Sequence, residues 1–240
     1  MKVSSIIIVA SAAVLAASFW NRNRFPDDIA YVPSILEEPV QKKTRKQPFS
    51  VRWNNVSYRV NPKYEYDLTG MVVSFRHHEG NSRMHRRSND YLNMLDVCVI
   101  WGDNTRNTRL NKISFWNGIF SCRIKTRDSV AWSRFNMEQL SNNHLLSADE
   151  RIRDKVRSIK VGDQIRFRGY LSAYRSPGIP ERGTSTTRTD EGDGACETVF
   201  VESFDILRPV RSPWRMAMWA SLVTLLLGLA LHFTRPYKPY

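Results

Sequence analysis

The segment Val161-Gly-Asp-Gln-Ile-Arg-Phe-Arg-Gly-Tyr-Leu171 decides the prediction of the fold. From Ile165 onward its apolar and polar side chains alternate, which is typical of a strand with one buried face. A Gly-Asp turn leads into this strand, and Gly169 lies in its interior. Because glycine weakens a strand, an interior glycine indicates a sharp bend or a close approach of two backbones. The segment therefore predicts the bent strand of a small barrel.

A short helix is predicted directly before this strand. The stretch Ser147-Ala-Asp-Glu150 fits a capping box, in which Ser147 bonds an amide of the first turn and Glu150 reaches back to the cap. Ile152, Val156 and Ile159 follow at helical spacing and form one apolar stripe. The helix is therefore expected to pack a single face against the strands.

Four further strands are predicted around this unit, at residues 64–77, 96–103, 113–127 and 197–207. Within the third, Asn117-Gly118 favours a tight hairpin, although it equally fits a bend in one long strand. The resulting order is strand, strand, strand, helix, strand, strand, which is the order of an OB-fold barrel. We predict a mainly β fold class for residues 51–210, a small OB-like β-barrel with one capping helix. A generic small barrel or sandwich is the alternative.

Both ends of the chain are apolar, so the barrel is expected to be flanked by N- and C-terminal transmembrane helices. Val3 to Trp20 carries no charge, and a helix of this length reaches roughly 27 Å, just enough to cross a hydrocarbon core. Residues 1–24 fit a signal anchor or a cleaved signal peptide. Residues 213–234, rich in leucine and bounded by aromatic residues, predict a transmembrane helix with a short tail at 235–240.

Residues 25–50 are predicted to be a linker, because they contain several prolines and blocks of like charge without a clear period. The formal net charge of the chain is +13, which favours anionic partners. We expect the lipid bilayer as one partner, with an envelope protein or anionic polymer as another; nucleic acid is the less favoured choice. Cytoplasmic flanks of membrane spans are rich in lysine and arginine, and the arginines on the domain side of the two apolar segments slightly favour a cytoplasmic domain. The signal-like start argues instead for the cell (inner) membrane with an extracytoplasmic domain.

Three stretches carry a resemblance. Cys98-Val-Ile-Trp-Gly-Asp-Asn104, Asn142-Asn-His-Leu-Leu146 and the segment from Gly183 to Glu197 resemble blocks from a family of uncharacterised bacterial membrane-anchored proteins with an OB-fold-like domain. The resemblance covers roughly residues 64–209. It implies a bacterial envelope setting, and it carries over no activity and no catalytic residue.

Two loops, residues 78–95 and 175–195, are predicted to flank the ligand face of the barrel. Guanidinium groups combined with aromatic rings suit single-stranded nucleic acid or an anionic sugar polymer. A solvated basic loop is the plain alternative. The candidate ligand-binding residues are Arg83, Arg86, Arg87, Trp116, Phe120, Thr184, Thr186 and Arg188.

Cysteine chemistry gives a second set of expectations. Outside the cytoplasm two of the three cysteines could pair, and we expect Cys122 with Cys196, although sequence does not fix the connectivity. A cysteine-dependent hydrolase would use Cys196 as nucleophile and His144 as base, with Asp103 or Asp193 orienting the histidine. The plain interpretation of His144 is a structural residue that fastens the loop before the helix.

No cofactor and no metal are expected from the sequence. The run Asp190-Glu-Gly-Asp-Gly194 suits calcium in composition but lacks the spacing of an EF-hand loop. The first functional hypothesis is therefore a membrane-anchored, non-catalytic envelope module that binds a partner protein or anionic polymer through a basic OB-like face. The alternatives are the cysteine-dependent hydrolase and a cytoplasmic-facing nucleic-acid-binding protein.

Overall fold

A computed structural model describes the chain at residues 3–78, 89–118, 121–178, 180–187 and 196–234. The chain divides into two compact units, Met1–Ile29 with Arg211–Tyr240, and Ala30–Val210. The folded domain was predicted to start at residue 51, and the second unit begins at Ala30, about twenty residues earlier.

The first unit consists of two apolar helices, α1 (Val3–Asn21) and α4 (Pro213–Thr234). Both are long and apolar enough to cross a membrane, and most of their surface is exposed. They pack closely, because a Cβ atom on Gly228 would lie only 3.2 Å from a side-chain carbon of Ile7. The expectation of two apolar terminal helices is confirmed.

The second unit contains a ring-like sheet and a separate hairpin. The described strands are β1 (Val40–Lys43), β2 (Phe49–Trp53), β3 (Val56–His77), β4 (Asn93–Ile100), β5 (Ile113–Asn117), β6 (Cys122–Thr126), β7 (Leu140–Leu146), β8 (Gln164–Arg175) and β9 (Glu197–Arg208). The unit also contains two short α-helices, α2 (Ser129–Ser133) and α3 (Glu150–Arg157).

The main sheet returns on itself. Its order is β1-β3-β4-β7-β9-β8, and β3 also pairs with β8. The 22-residue strand β3 makes this possible, because Arg59–Met71 faces β8 while Met71–His77 faces β4. Strands β7 and β9 run parallel, whereas the other pairs are antiparallel. The mainly β class is therefore confirmed, and the finer OB-like barrel stays a prediction.

The ring encloses an apolar core. Leu68, Val97, Leu145, Phe167 and Val199 are fully buried in it, and a buried side chain of this kind stabilises the fold by about 1.5–3 kcal/mol. The stripe predicted for α3 is confirmed, since its apolar side chains join the same cluster.

The structure differs from two predictions that were made from short sequence patterns, the linker and the capping box. The predicted linker contains β1, which pairs with residues Tyr64–Asp67 of β3, because strand pairing, not local period, orders this charged segment. The predicted capping box is wrong: Asp149 caps α3 and accepts from the amide of Arg151, while the Ser147 hydroxyl accepts from the amide of Asp149. The helix begins too late for Ser147 to cap it.

The Asn117-Gly118 signal leads to a hairpin. Strands β5 and β6 form a two-stranded sheet of their own, with Asn117 opposite Cys122. Of the two interpretations of residues 113–127, the structure supports the hairpin and not the single bent strand.

Candidate functional site

In the main sheet, one face packs into the apolar core, and the opposite face carries polar side chains. Successive side chains of a strand point to opposite faces, so Asp96 and Cys98 of β4 face away from the core residues Val97 and Val99. The next strand, β7, continues this polar face. Its register places His144 opposite Asp96 and Asn142 opposite Cys98.

Strand β9 extends the polar face on the other side of β7. The parallel register places Thr198 opposite His144. Cys196, directly before β9, therefore lies beside Asn142. Three strands thus bring a carboxylate, a histidine, an amide and a thiol onto one surface, although 48 residues separate Asp96 from His144 and 54 separate Asn142 from Cys196.

Asp96 is the centre of this group. His144 Nδ1 lies 2.5 Å from Asp96 Oδ1, and His78 Nε2 lies 2.7 Å from Asp96 Oδ2. The amide of Asn93 also donates to Oδ1, at 3.1 Å. All four residues are buried, so water does not screen these interactions strongly.

The surroundings favour a charged pair. Burial opposes the imidazolium form of His144, but hydrogen bonds with Asp96 and Cys196 outweigh it and raise the pKa of His144 to about 10. Burial likewise opposes ionisation of Asp96, yet its hydrogen bonds with His144 and His78 hold the pKa of Asp96 below its usual range. At neutral pH the site therefore contains a carboxylate and an imidazolium.

Cys196 completes the arrangement. Its side chain hydrogen-bonds His144, and its sulfur lies 3.2 Å from Nδ2 of Asn142. Its carbonyl oxygen accepts from the amide of Ser185 at 2.9 Å, which ties the loop before β9 to this edge. The residue is only partly buried. A partly accessible sulfur next to a protonated histidine is the arrangement in which cysteine acts as a nucleophile.

The disulfide links Cys98 with Cys122, with their Cα atoms 5.8 Å apart. The expected Cys122–Cys196 pairing is therefore wrong. The reason is the position of the β5–β6 hairpin, which lies against β3 and β4: Ser74 donates to Asn117 at 2.7 Å, and Asn117 donates to the Asp96 carbonyl at 3.4 Å. Cys196 belongs to a chain segment on the far side of β7.

The structure describes three of the eight predicted ligand-binding residues. Trp116 lies on the separate hairpin, whereas the hydroxyl of Thr184 accepts from the amide of Thr198 beside the cysteine. Thr186 is exposed, and its carbonyl oxygen accepts from Gln41. The remaining members lie outside the described residues: Arg83, Arg86, Arg87, Phe120 and Arg188.

Asp96 and His78 were not among the site residues predicted from the sequence. Asp103, one of the proposed orienting residues, is largely exposed and lies near Arg106 instead, and Asp193 lies outside the described residues. The signal that could have identified Asp96 is its charge within residues 94–100 of β4, which are otherwise apolar. Within the described ranges, no group of three His, Cys, Asp or Glu side chains is arranged to hold a metal ion.

Comparison with known proteins returns no match among family models, curated proteins or solved structures. The roles of the residues therefore rest on the geometry of the site.

Proposed function

We propose that this protein is a membrane-anchored envelope domain that uses Cys196 as the nucleophile of a hydrolytic or acyl-transfer reaction. The observation that carries the proposal is the position of His144, which hydrogen-bonds both Asp96 and Cys196. In this arrangement the Asp96 carboxylate orients the His144 imidazole and stabilises its charged form, and the imidazole activates the Cys196 sulfur as a nucleophile.

The proposed reaction uses each neighbour of the sulfur. The thiolate attacks the carbonyl carbon of an ester, thioester or amide, and the Nδ2 hydrogens of Asn142 are placed to bind the developing oxyanion. His144 gives its proton to the leaving group, which departs as an alcohol, thiol or amine. Water, deprotonated by the now neutral His144, then attacks the thioester on Cys196, releases a carboxylic acid and restores the thiolate beside the protonated His144.

The membrane setting is part of the proposal. The two apolar terminal helices are of spanning length, and they would hold the domain at the cell (inner) membrane. The Cys98–Cys122 disulfide supports an extracytoplasmic domain, because disulfides persist in oxidising compartments and are rare in the cytosol. Protection of the domain from protease in intact spheroplasts would contradict this sidedness and favour the cytoplasmic nucleic-acid hypothesis.

The first test is the alkylation of Cys196 by iodoacetamide in the detergent-solubilised full chain. A simple thiol loses roughly two orders of magnitude in rate between pH 8.5 and about pH 6. In the wild type, the imidazolium of His144 hydrogen-bonds the Cys196 side chain, and we expect it to promote attack by the sulfur. His144→Gln should lower the rate at about pH 6 by at least about tenfold.

His77→Gln is the matched control, since it removes the neighbouring histidine of β3 and should leave the rate unchanged. Equal rates for wild type and His144→Gln would refute the activation of Cys196. The catalytic step itself is tested with an activated ester and mass spectrometry: an acyl group should appear on Cys196 in the wild type and be absent from Cys196→Ala.

A non-catalytic module that binds a partner protein or anionic polymer is the second candidate. The net charge of +13 and the 41% exposure of Trp116 favour it. If the domain only binds a partner, the Cys196→Ala variant should retain the full activity of the protein in the cell. If Cys196 is the nucleophile, the same variant should lose that activity.

A further inference from the structure

The segment between β4 and β7, residues 101–139, forms a lobe outside the main sheet, which we call the hairpin lobe. It contains the β5–β6 hairpin and α2, and among its described residues, 101–118 and 121–139, the strand pairing is that of the hairpin's own two-stranded sheet. Its composition is basic, with seven lysines and arginines and three acidic residues. Two of those acidic residues, Asp103 and Asp128, lie near arginines of the lobe itself, so they offer little attraction to an outside cation.

The same lobe exposes large apolar side chains. Trp116, Val130, Trp132 and Met137 are 41%, 42%, 48% and 45% exposed. In the hairpin, Trp116 lies opposite Arg123, and Lys125 lies on the same outer face opposite Ser114. Large apolar side chains beside lysines and arginines are the composition that membrane-interface segments use.

Ring contacts support Trp132, and a disulfide supports the hairpin. The ring of Trp132 is stacked on Phe135 at 6.4 Å with an interplanar angle of 11°, and Phe135 packs on Phe115 of β5 at 5.8 Å. The disulfide from Cys122 fastens the hairpin to the main sheet. The lobe therefore loses little conformational entropy when it docks on a surface.

We propose that the hairpin lobe docks on an anionic lipid surface. The inference rests on the membrane anchoring in the proposed function, because two spanning helices would keep the domain close to a bilayer. Tryptophan and arginine favour the headgroup region, and basic residues are attracted to anionic lipids. Val130 and Met137 distinguish lipid from polymer, since aliphatic side chains gain from an acyl boundary but have no π face for stacking on sugars or bases.

The test uses the full chain in nanodiscs, either of phosphatidylcholine alone or with about one third phosphatidylglycerol. Hydroxyl-radical footprinting with mass spectrometry measures the oxidation of Trp116 and Trp132. We expect oxidation to fall by about threefold in the anionic discs, and this protection to disappear at about 0.5 M salt. The double variant Arg123→Glu/Lys125→Glu should lose the protection.

Arg52→Glu/Arg59→Glu is the matched control, with the same charge change on exposed residues of β2 and β3, and it should keep the protection. Equal oxidation in both lipids would overturn the inference. Protection that appears only when a soluble anionic polysaccharide is added would overturn it too and would identify a polymer partner. If the chain leaves the discs during size-exclusion chromatography, the anchoring itself fails; a retained chain with unprotected tryptophans would refute the docking alone.

Discussion

Gly169→Val is expected to destabilise the domain by about 4 kcal/mol or more, which is beyond the range of ordinary substitutions. A Cβ atom on Gly169 would lie 1.9 Å from the carbonyl oxygen of Phe200 and 3.0 Å from the Cα of Val201. These atoms belong to the backbone of β9, so no side-chain rotation relieves the clash. The register between β8 and β9 shifts between Arg168 and Gly169, which marks an irregularity where the two strands approach closely.

Thermal unfolding of the full chain in detergent micelles measures this effect. For a domain of this size 4 kcal/mol corresponds to a fall in Tm of about 8–16 °C. Gly183→Val is the matched control: it makes the same substitution at a glycine whose added Cβ would meet no atom within 4 Å, and it should change Tm by less than about 2 °C. A neutral Gly169→Val would contradict the close approach of β8 to β9.

Asp96→Asn is expected to cost about 3 kcal/mol, because it leaves two buried histidines without their anionic partner. The effect has a defined pH dependence. The raised pKa of His144 contributes stability that is fully present below its unfolded value of about 6.5 and is lost as the pH rises towards 10. The lowered pKa of Asp96 contributes stability above about pH 4, which is lost in acid.

The Tm difference between wild type and Asp96→Asn should therefore be largest between about pH 4 and 6.5 and should narrow as the pH approaches 10. Asp205→Asn is the control, because it removes a carboxylate from a largely exposed pair with Lys155 and should cost less than about 1 kcal/mol. A difference that does not vary with pH would show that Asp96 and His144 form no charged pair. Cys196 in Asp96→Asn should also alkylate more slowly at about pH 6.

Features that depend on residues close together in the sequence could be predicted from the sequence alone. The alternation after Ile165 and the helical spacing of Ile152 and Val156 identified β8 and α3, and Asn117-Gly118 allowed the hairpin. Strand β7 was missed because Ser141, Asn142, Asn143 and His144 give no apolar alternation. Their side chains are nevertheless buried. Ser141 donates to Glu197 of β9 at 2.8 Å, and Asn143 donates to Ser141 within β7 at 2.8 Å.

The sequence by itself determined the apolar ends, the mainly β class and the special place of Gly169, because period, hydropathy and glycine chemistry act over a few residues. Only the tertiary structure decided which cysteines form the disulfide and which carboxylate hydrogen-bonds His144. Those outcomes depend on the register of β4, β7 and β9, which join residues about fifty positions apart. Register follows from the packing of the whole ring, so the site of Asp96, His144 and Cys196 exists only once the sheet has closed.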